Sequence, residues 1–191
     1  MAEEKKKLES TFVNMVLVLT VISLTSALAL GFTYTKTKPF ADKVKAEKLA
    51  EAIKAVVPDF DELGEPFKVE GFGRLELYHA KKDGAVVGTA VKSVSDKGFS
   101  GDVWIMVGFD SEGKVYNTAI LEHKETPGLG TKMTVPAFKE QVNGKDPSVF
   151  KLSVSKDGGE VDAITAATIS SRAFCDAIQV AYDAMKKGGT K

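Results

Sequence analysis

Val161-Asp162-Ala163-Ile164-Thr165-Ala166-Ala167-Thr168-Ile169-Ser170-Ser171-Arg172-Ala173-Phe174 is the stretch around which the chain is organised: small and hydroxyl residues give way abruptly to a helical pattern. From Ser170 onward Phe174, Ala177, Ile178, Ala181 and Met185 recur at steps of three and four, one face of a helix. Lys186 and Lys187 suit its last turn, and Gly188-Gly189 offer a left-handed C-cap. The hydroxyl-rich segment is therefore a helix entrance. An entrance of this kind exposes unpaired backbone N–H groups and the positive end of the helix dipole. The hydroxyls of Thr165, Thr168, Ser170 and Ser171 stand where a phosphate would be held. They equally suit a plain N-cap with no ligand. Spacing alone leaves both readings open.

Working back toward the N-terminus, Lys156-Asp157-Gly158-Gly159 turns the chain into this segment. Val149 to Ser155 alternates as a strand would, and Val135 to Asn143 reads as a short helix after Pro136, ending at Gly144. Before these lies Leu121-Glu122-His123-Lys124-Glu125-Thr126-Pro127-Gly128-Leu129-Gly130. There Thr126-Pro127-Gly128 favours a type II turn, with proline setting φ and glycine accepting a positive value. Gly128 and Gly130 leave the backbone bare enough for a planar ring to approach. Taken alone the segment is a connecting loop.

The texture from Lys68 to Glu122 is β-rich, with strands expected at Arg74 to Ala80, Val86 to Ser95, Asp102 to Phe109 and Val115 to Glu122. Asp110-Ser111-Glu112-Gly113 joins the last two as a hairpin. Val103, Ile105 and Val107 alternate with Trp104 and Met106, so both faces of that strand are apolar, as in a central strand.

Phe12 to Tyr34 carries no charged residue and matches the ~20 residues that cross a bilayer core. A cleaved signal peptide competes, with Lys5-Lys6-Lys7 as its basic region and Ala27-Leu28-Ala29 as its cleavage site. The apolar run continues past that site through Leu30 and Phe32, which favours a retained anchor. Lys36, Lys38, Lys43, Lys45 and Lys48 follow the span, so charge does not fix its orientation. Phe40 to Val57 reads as a stalk helix that Pro58 stops.

Composition narrows the function. The 191 residues include 26 basic and 26 acidic side chains, a balance that gives no sign of a nucleic-acid partner. One cysteine, Cys175, supplies neither a disulfide nor a thiolate cluster, and it reads as a small buried side chain. His79 and His123 have no ligand spacing, so no metal site is expected. The G-x-S-x-G, Walker A and dinucleotide G-x-G-x-x-G motifs are absent, against a stand-alone dehydrogenase or kinase.

Asp162 to Thr168 resembles the flavinylation signature of FMN-binding domains from ion-pumping redox complexes: Asp, two variable residues, Ser or Thr, Gly, Ala, Thr. The resemblance implies that the Thr168 hydroxyl is joined to FMN by a phosphoester, made by a separate magnesium-dependent flavin transferase from FAD. It also implies that Asp162, Thr165, Ala166, Ala167 and Ser170 belong to the cofactor site. Ala166 departs from the usual glycine and is strained if the turn needs positive φ. Glu125-Thr126-Pro127-Gly128-Leu129-Gly130 is similar to the family's second signature at every position, implying cofactor contacts from Glu125, Thr126, Gly128, Leu129 and Gly130.

From anchor to last helix the chain looks like the G subunits of Rnf complexes, the ion-translocating ferredoxin:NAD oxidoreductases. The C subunits of sodium-translocating NADH:quinone reductase are relatives, usually longer. The resemblance implies an electron-transfer flavoprotein, a redox subunit of a multi-subunit oxidoreductase that is not catalytic alone and has no catalytic residue of its own. It implies as partners the A-, B-, C-, D- and E-type subunits, the flavin transferase and the lipid bilayer. It implies a single pass through the bacterial cytoplasmic membrane with the soluble domain on the extracytoplasmic side. The expected class is α+β: an N-terminal transmembrane helix, then a single FMN-binding domain with an antiparallel sheet and flanking helices. The expected divisions are an arm (1–11), an anchor (12–34), a stalk (35–58) and the FMN-binding domain (59–191). The competing reading is a flavin-free, membrane-tethered binding module in which Thr165 and Thr168 only cap the helix.

Overall fold

The computed structural model describes residues 11–188, so most of the N-terminal arm, with Lys5-Lys6-Lys7, and Gly189 of the expected C-cap lie outside the described residues. Helix α1 (Phe12–Val56) runs unbroken through Pro39. Proline lacks the N–H that would bond the carbonyl four residues back. Along its apolar part the hydroxyls of Thr20, Thr25, Thr33 and Thr37 donate to carbonyls four residues earlier, so they need no outside partner. Leu17, Leu19, Leu24, Leu28 and Phe32 are exposed. This is the one helix among the described residues long and apolar enough to cross a membrane.

The chain divides into two compact units, Met1–Glu47 and Lys48–Lys191. The second is built on a five-stranded antiparallel meander, in the order β1 (Glu62–Leu63), β2 (Glu76–Lys82), β3 (Ala85–Ser95), β4 (Val103–Asp110), β5 (Val115–Glu122). Strands β2 and β3 meet at Asp83-Gly84, where both residues have positive φ (51° and 80°), the twist-matched hairpin turn. Strands β4 and β5 meet at the expected turn, with Gly113 N donating to Asp110 O at 3.1 Å. The four longer strands start and end within two residues of the expected bounds. The two-residue β1 is too short to leave a pattern in sequence.

Alternation along β4 feeds two cores. Val103, Ile105, Val107 and Phe109 join the cluster under α3 (Thr168–Gly188), with Phe174, Ala177, Ile178 and Ala181. Met106 joins Tyr78, Ala80 and Ala90 against Ala52, Ile53, Val56 and Val57 at the end of α1. The sheet is thus covered on both faces, as the doubly apolar strand required. Gly108 makes the α1 side possible: a Cβ there would stand 1.5 Å from Val56 O. Cys175 is buried on α3, and burial pushes its thiol up to about 12.

Two expectations are corrected. The helix read over Val135–Asn143 is α2 (Pro136–Lys139), followed by a 3-10 turn at Glu140–Val142. The strand read over Val149–Ser155 does not form. Its backbone bonds are satisfied locally, Ser153 N to Lys151 O at 2.7 Å and Glu160 N to Lys151 O at 3.2 Å, leaving only an isolated parallel bridge from Val154 to Val161. Leu152 and Val154 alternate inward because the segment lies over the core, not because it joins a ladder.

Candidate functional site

Helix α3 begins at Thr168, two residues earlier than its apolar pattern suggests. The residue before it is Ala167, which has no side-chain oxygen, and none of the four nearby hydroxyls accepts from an amide of the first turn. Ser170 Oγ donates to Glu125 Oε2 at 2.6 Å, while Ser171 Oγ accepts from Ile164 N and donates to Ala167 O, both at 3.0 Å. Capping therefore does not explain the hydroxyl run. The amides of Thr168, Ile169 and Ser170 make no backbone hydrogen bond among the described residues. The half-buried Thr168 hydroxyl has no hydrogen-bond partner there either. Thr168 thus opens a 21-residue helix whose first three amides are free donors at the positive end of the dipole.

The chain reaches Thr168 through a turn closed by Ala167 N donating to Ile164 O at 3.0 Å, with Ala166 at φ 62°. Positive φ at the third position is the type II requirement that favours glycine. The strain expected of Ala166 is thus present.

The Glu125–Gly130 loop forms the other wall. Leu129 N donates to Thr126 O at 3.2 Å and Gly128 takes φ 75°, giving the expected type II turn. Glu125 is buried, 4% exposed, and also receives Ser100 N at 3.3 Å. His123 Nδ1 accepts from Glu125 N at 3.2 Å. Gly130 packs so tightly that a Cβ would stand 2.6 Å from Ser170 Oγ and 2.8 Å from Glu125 Oε2. The two sequence motifs are therefore bonded to each other through a buried carboxylate and a buried hydroxyl.

Between them lies a cleft of about 400 Å³ lined by Glu125, Thr126, Leu129, Gly130, Ala166, Ala167, Thr168, Ile169, Ser170 and Phe99. Phe99, Leu129 and Ile169 are its large exposed apolar members.

The model of the FMN-binding domain family matches residues 98–183. The chain is 34% identical over 186 residues to the G subunit of the ion-translocating oxidoreductase complex of Methanosarcina acetivorans, covering 94% of this chain and 95% of that one. It is 30% identical over 181 residues to the corresponding G subunit of Aliivibrio fischeri strain ES114, covering 85% of each. The chain belongs to the family of G subunits of ion-translocating oxidoreductase complexes. The crystal structure of Shewanella oneidensis NqrC is similar over 56% of this chain and 53% of that chain, at 22% identity and a TM-score of 0.42.

Within this family member, eight of the residues singled out from sequence share the cleft: Glu125, Thr126, Leu129, Gly130, Ala166, Ala167, Thr168 and Ser170. Three do not line it. Gly128 and Thr165 shape the turns behind it. Asp162 acts as a fastener, its carboxylate accepting from Ser155 Oγ at 2.9 Å and its amide donating to Gln141 Oε1 at 2.8 Å. Ile169 and Phe99 were missed: Ile169 by its place in a hydroxyl run, and Phe99 because a lone aromatic between glycines carries no periodicity.

Proposed function

We propose that this chain is the flavin-carrying electron relay of a membrane-bound ion-translocating ferredoxin:NAD oxidoreductase, with FMN joined through its phosphate to the Thr168 hydroxyl. The observation that carries the reading is the Thr168 hydroxyl, unpartnered in a cleft and beside three uncapped helix amides. The residues present fit the group. Helix amides and dipole suit a phosphate, a cleft of about 400 Å³ lies within the ordinary range of ligand sites, and Phe99, Leu129 and Ile169 offer apolar surface to a planar ring. Bound FMN supplies the one- and two-electron chemistry, while the chain binds and orients it. A threonine hydroxyl is a poor unassisted nucleophile, which accords with a requirement for a flavin transferase.

The names of the relatives support a place among other subunits of a complex, and the remaining parts of the reading follow the sequence resemblance. Residues 12–34 cross the bilayer, 35–58 form the stalk and 59–191 the flavin domain on the extracytoplasmic side, docked among the other subunits. Covalent attachment removes the dissociation equilibrium, so a shallow site suffices outside the cytoplasm.

Intact-mass measurement of the full chain co-expressed with the transferase tests this. The wild type gains the mass of an FMN phosphoester, and Thr168→Ala loses both that mass and the yellow, ultraviolet-fluorescent band on a denaturing gel. An unshifted wild-type mass favours the flavin-free tethered module. A Thr168→Ala chain that stays fluorescent moves the acceptor elsewhere.

A further inference from the structure

Among the described residues Phe99 is the one aromatic side chain lining the cleft, and it belongs to neither sequence motif. It is 66% exposed, in the segment Gly98-Phe99-Ser100-Gly101 between β3 and β4. An exposed phenyl ring on a slack loop would mean little, but this backbone is tightly mounted. Ser100 N donates to Glu125 Oε1, and a Cβ at Gly98 would stand 2.2 Å from Gly101 O and 2.8 Å from Glu125 Oε1. Gly101 holds φ 115°, closed to ordinary side chains. The ring itself makes no aromatic contact among the described residues. The same buried carboxylate that receives Ser100 N also receives Ser170 Oγ on the first turn of α3. One side chain therefore sets the Phe99 loop and the Thr168 helix end in register, a rigid mount for a ring the core does not use.

We infer that Phe99 is the aromatic wall of the flavin site, its ring lying against the isoalloxazine of FMN tethered at Thr168, and that Glu125 is the positioning residue that mounts it. Leu129 and Ile169, 39% and 44% exposed, complete the apolar surround. Offset contact between a phenyl ring and a flat heteroaromatic buries both faces where water would otherwise lie. This inference rests on the covalent flavin proposed above.

The test uses the full-length chain in detergent, matured with the transferase and checked by intact mass. Phe99→Trp keeps the FMN mass and loses flavin emission several-fold, because an indole in contact with the ring quenches it. Val149→Trp, at a site 81% exposed and outside this cleft, leaves emission unchanged. Phe99→Ala keeps the FMN mass and makes the flavin several-fold more sensitive to quenching by iodide. FMN-loaded variants whose emission and iodide sensitivity equal the wild type's overturn the role of Phe99, and they leave the Thr168 tether standing. An unshifted wild-type mass overturns the tether and this inference with it.

Discussion

Two turns of one shape frame the cleft, and they meet its demands differently. Thr126-Pro127-Gly128-Leu129 and Ile164-Thr165-Ala166-Ala167 each close with an N–H donated from the fourth residue to the carbonyl of the first, and each puts its third residue at positive φ. The first uses glycine at 75°, the second alanine at 62°. Their surroundings account for the difference. Residues 126–129 are all exposed, held by Gly128 N on Thr131 Oγ1 at 2.9 Å and by the loop's own backbone bonds, so the loop depends on a residue for which that conformation is free of strain. Ile164 and Ala167 are buried, and Ser171 Oγ clamps both ends of their turn. A turn over-determined by its neighbours tolerates a side chain that an exposed one does not.

The largest effect expected lies where the two walls touch. Gly130→Ala drives a methyl into Ser170 Oγ and the Glu125 side chain, and both belong to buried, bonded groups with little freedom to retreat. We expect a loss of about 1–3 kcal/mol, read as a fall in Tm of the detergent-solubilised chain. Failure to mature with flavin should accompany it, because the same contact sets the floor of the cleft. A Gly130→Ala chain with unchanged Tm would mean that the walls are independent.

The next prediction exchanges the two solutions. Left-handed φ costs an alanine roughly 1–2 kcal/mol relative to glycine, and the extra freedom of glycine in the unfolded chain returns about 0.4–1 kcal/mol of that. Gly128→Ala should therefore destabilise by about 0.5–1 kcal/mol and Ala166→Gly stabilise by a similar amount, compared by thermal unfolding under one condition. Equal effects of the same sign would refute the claim that the turns share a conformation.

This pairing also marks what the sequence made legible. Strands β2 to β5, the hairpin signals and the apolar face of α3 are local patterns, so periodicity found them. Thr126-Pro127-Gly128 announced its own geometry through proline and glycine. The Ala166 turn was visible only as a departure from a resembling motif, since alanine carries no turn signal. Val149–Ser155 misled because inward alternation follows from lying over a core as well as from pairing in a sheet. The bond from Glu125 to Ser170 spans 45 positions. The mount of Phe99 on that same carboxylate is equally non-local. No window along the chain contains such a contact, and the cleft is made of them.

The smallest effect separates the walls by their electrostatics. One turn after Thr168, Arg172 of α3 makes a two-pronged ion pair with Asp157, Nε to Oδ2 at 2.7 Å and Nη2 to Oδ1 at 2.8 Å. Among the described residues no ion pair ties residues 126–131, so the Gly128 wall has no counterpart there. The hydrogen-bonded Arg172 guanidinium holds the Asp157 carboxyl below its ordinary 3.8. A depressed folded-state pKa stabilises above the unfolded value, and that contribution fades as pH falls through the lower folded value. Asp157→Asn should then lower Tm slightly and by a constant amount above roughly pH 4, with the gap to wild type closing in more acid solution and shrinking in high salt. The Gly128→Ala deficit, being steric, should hold its size across the same pH and salt series. If both gaps closed together in acid, the two turns would share an electrostatic support, and the contrast between a clamped wall and a glycine-dependent one would fail.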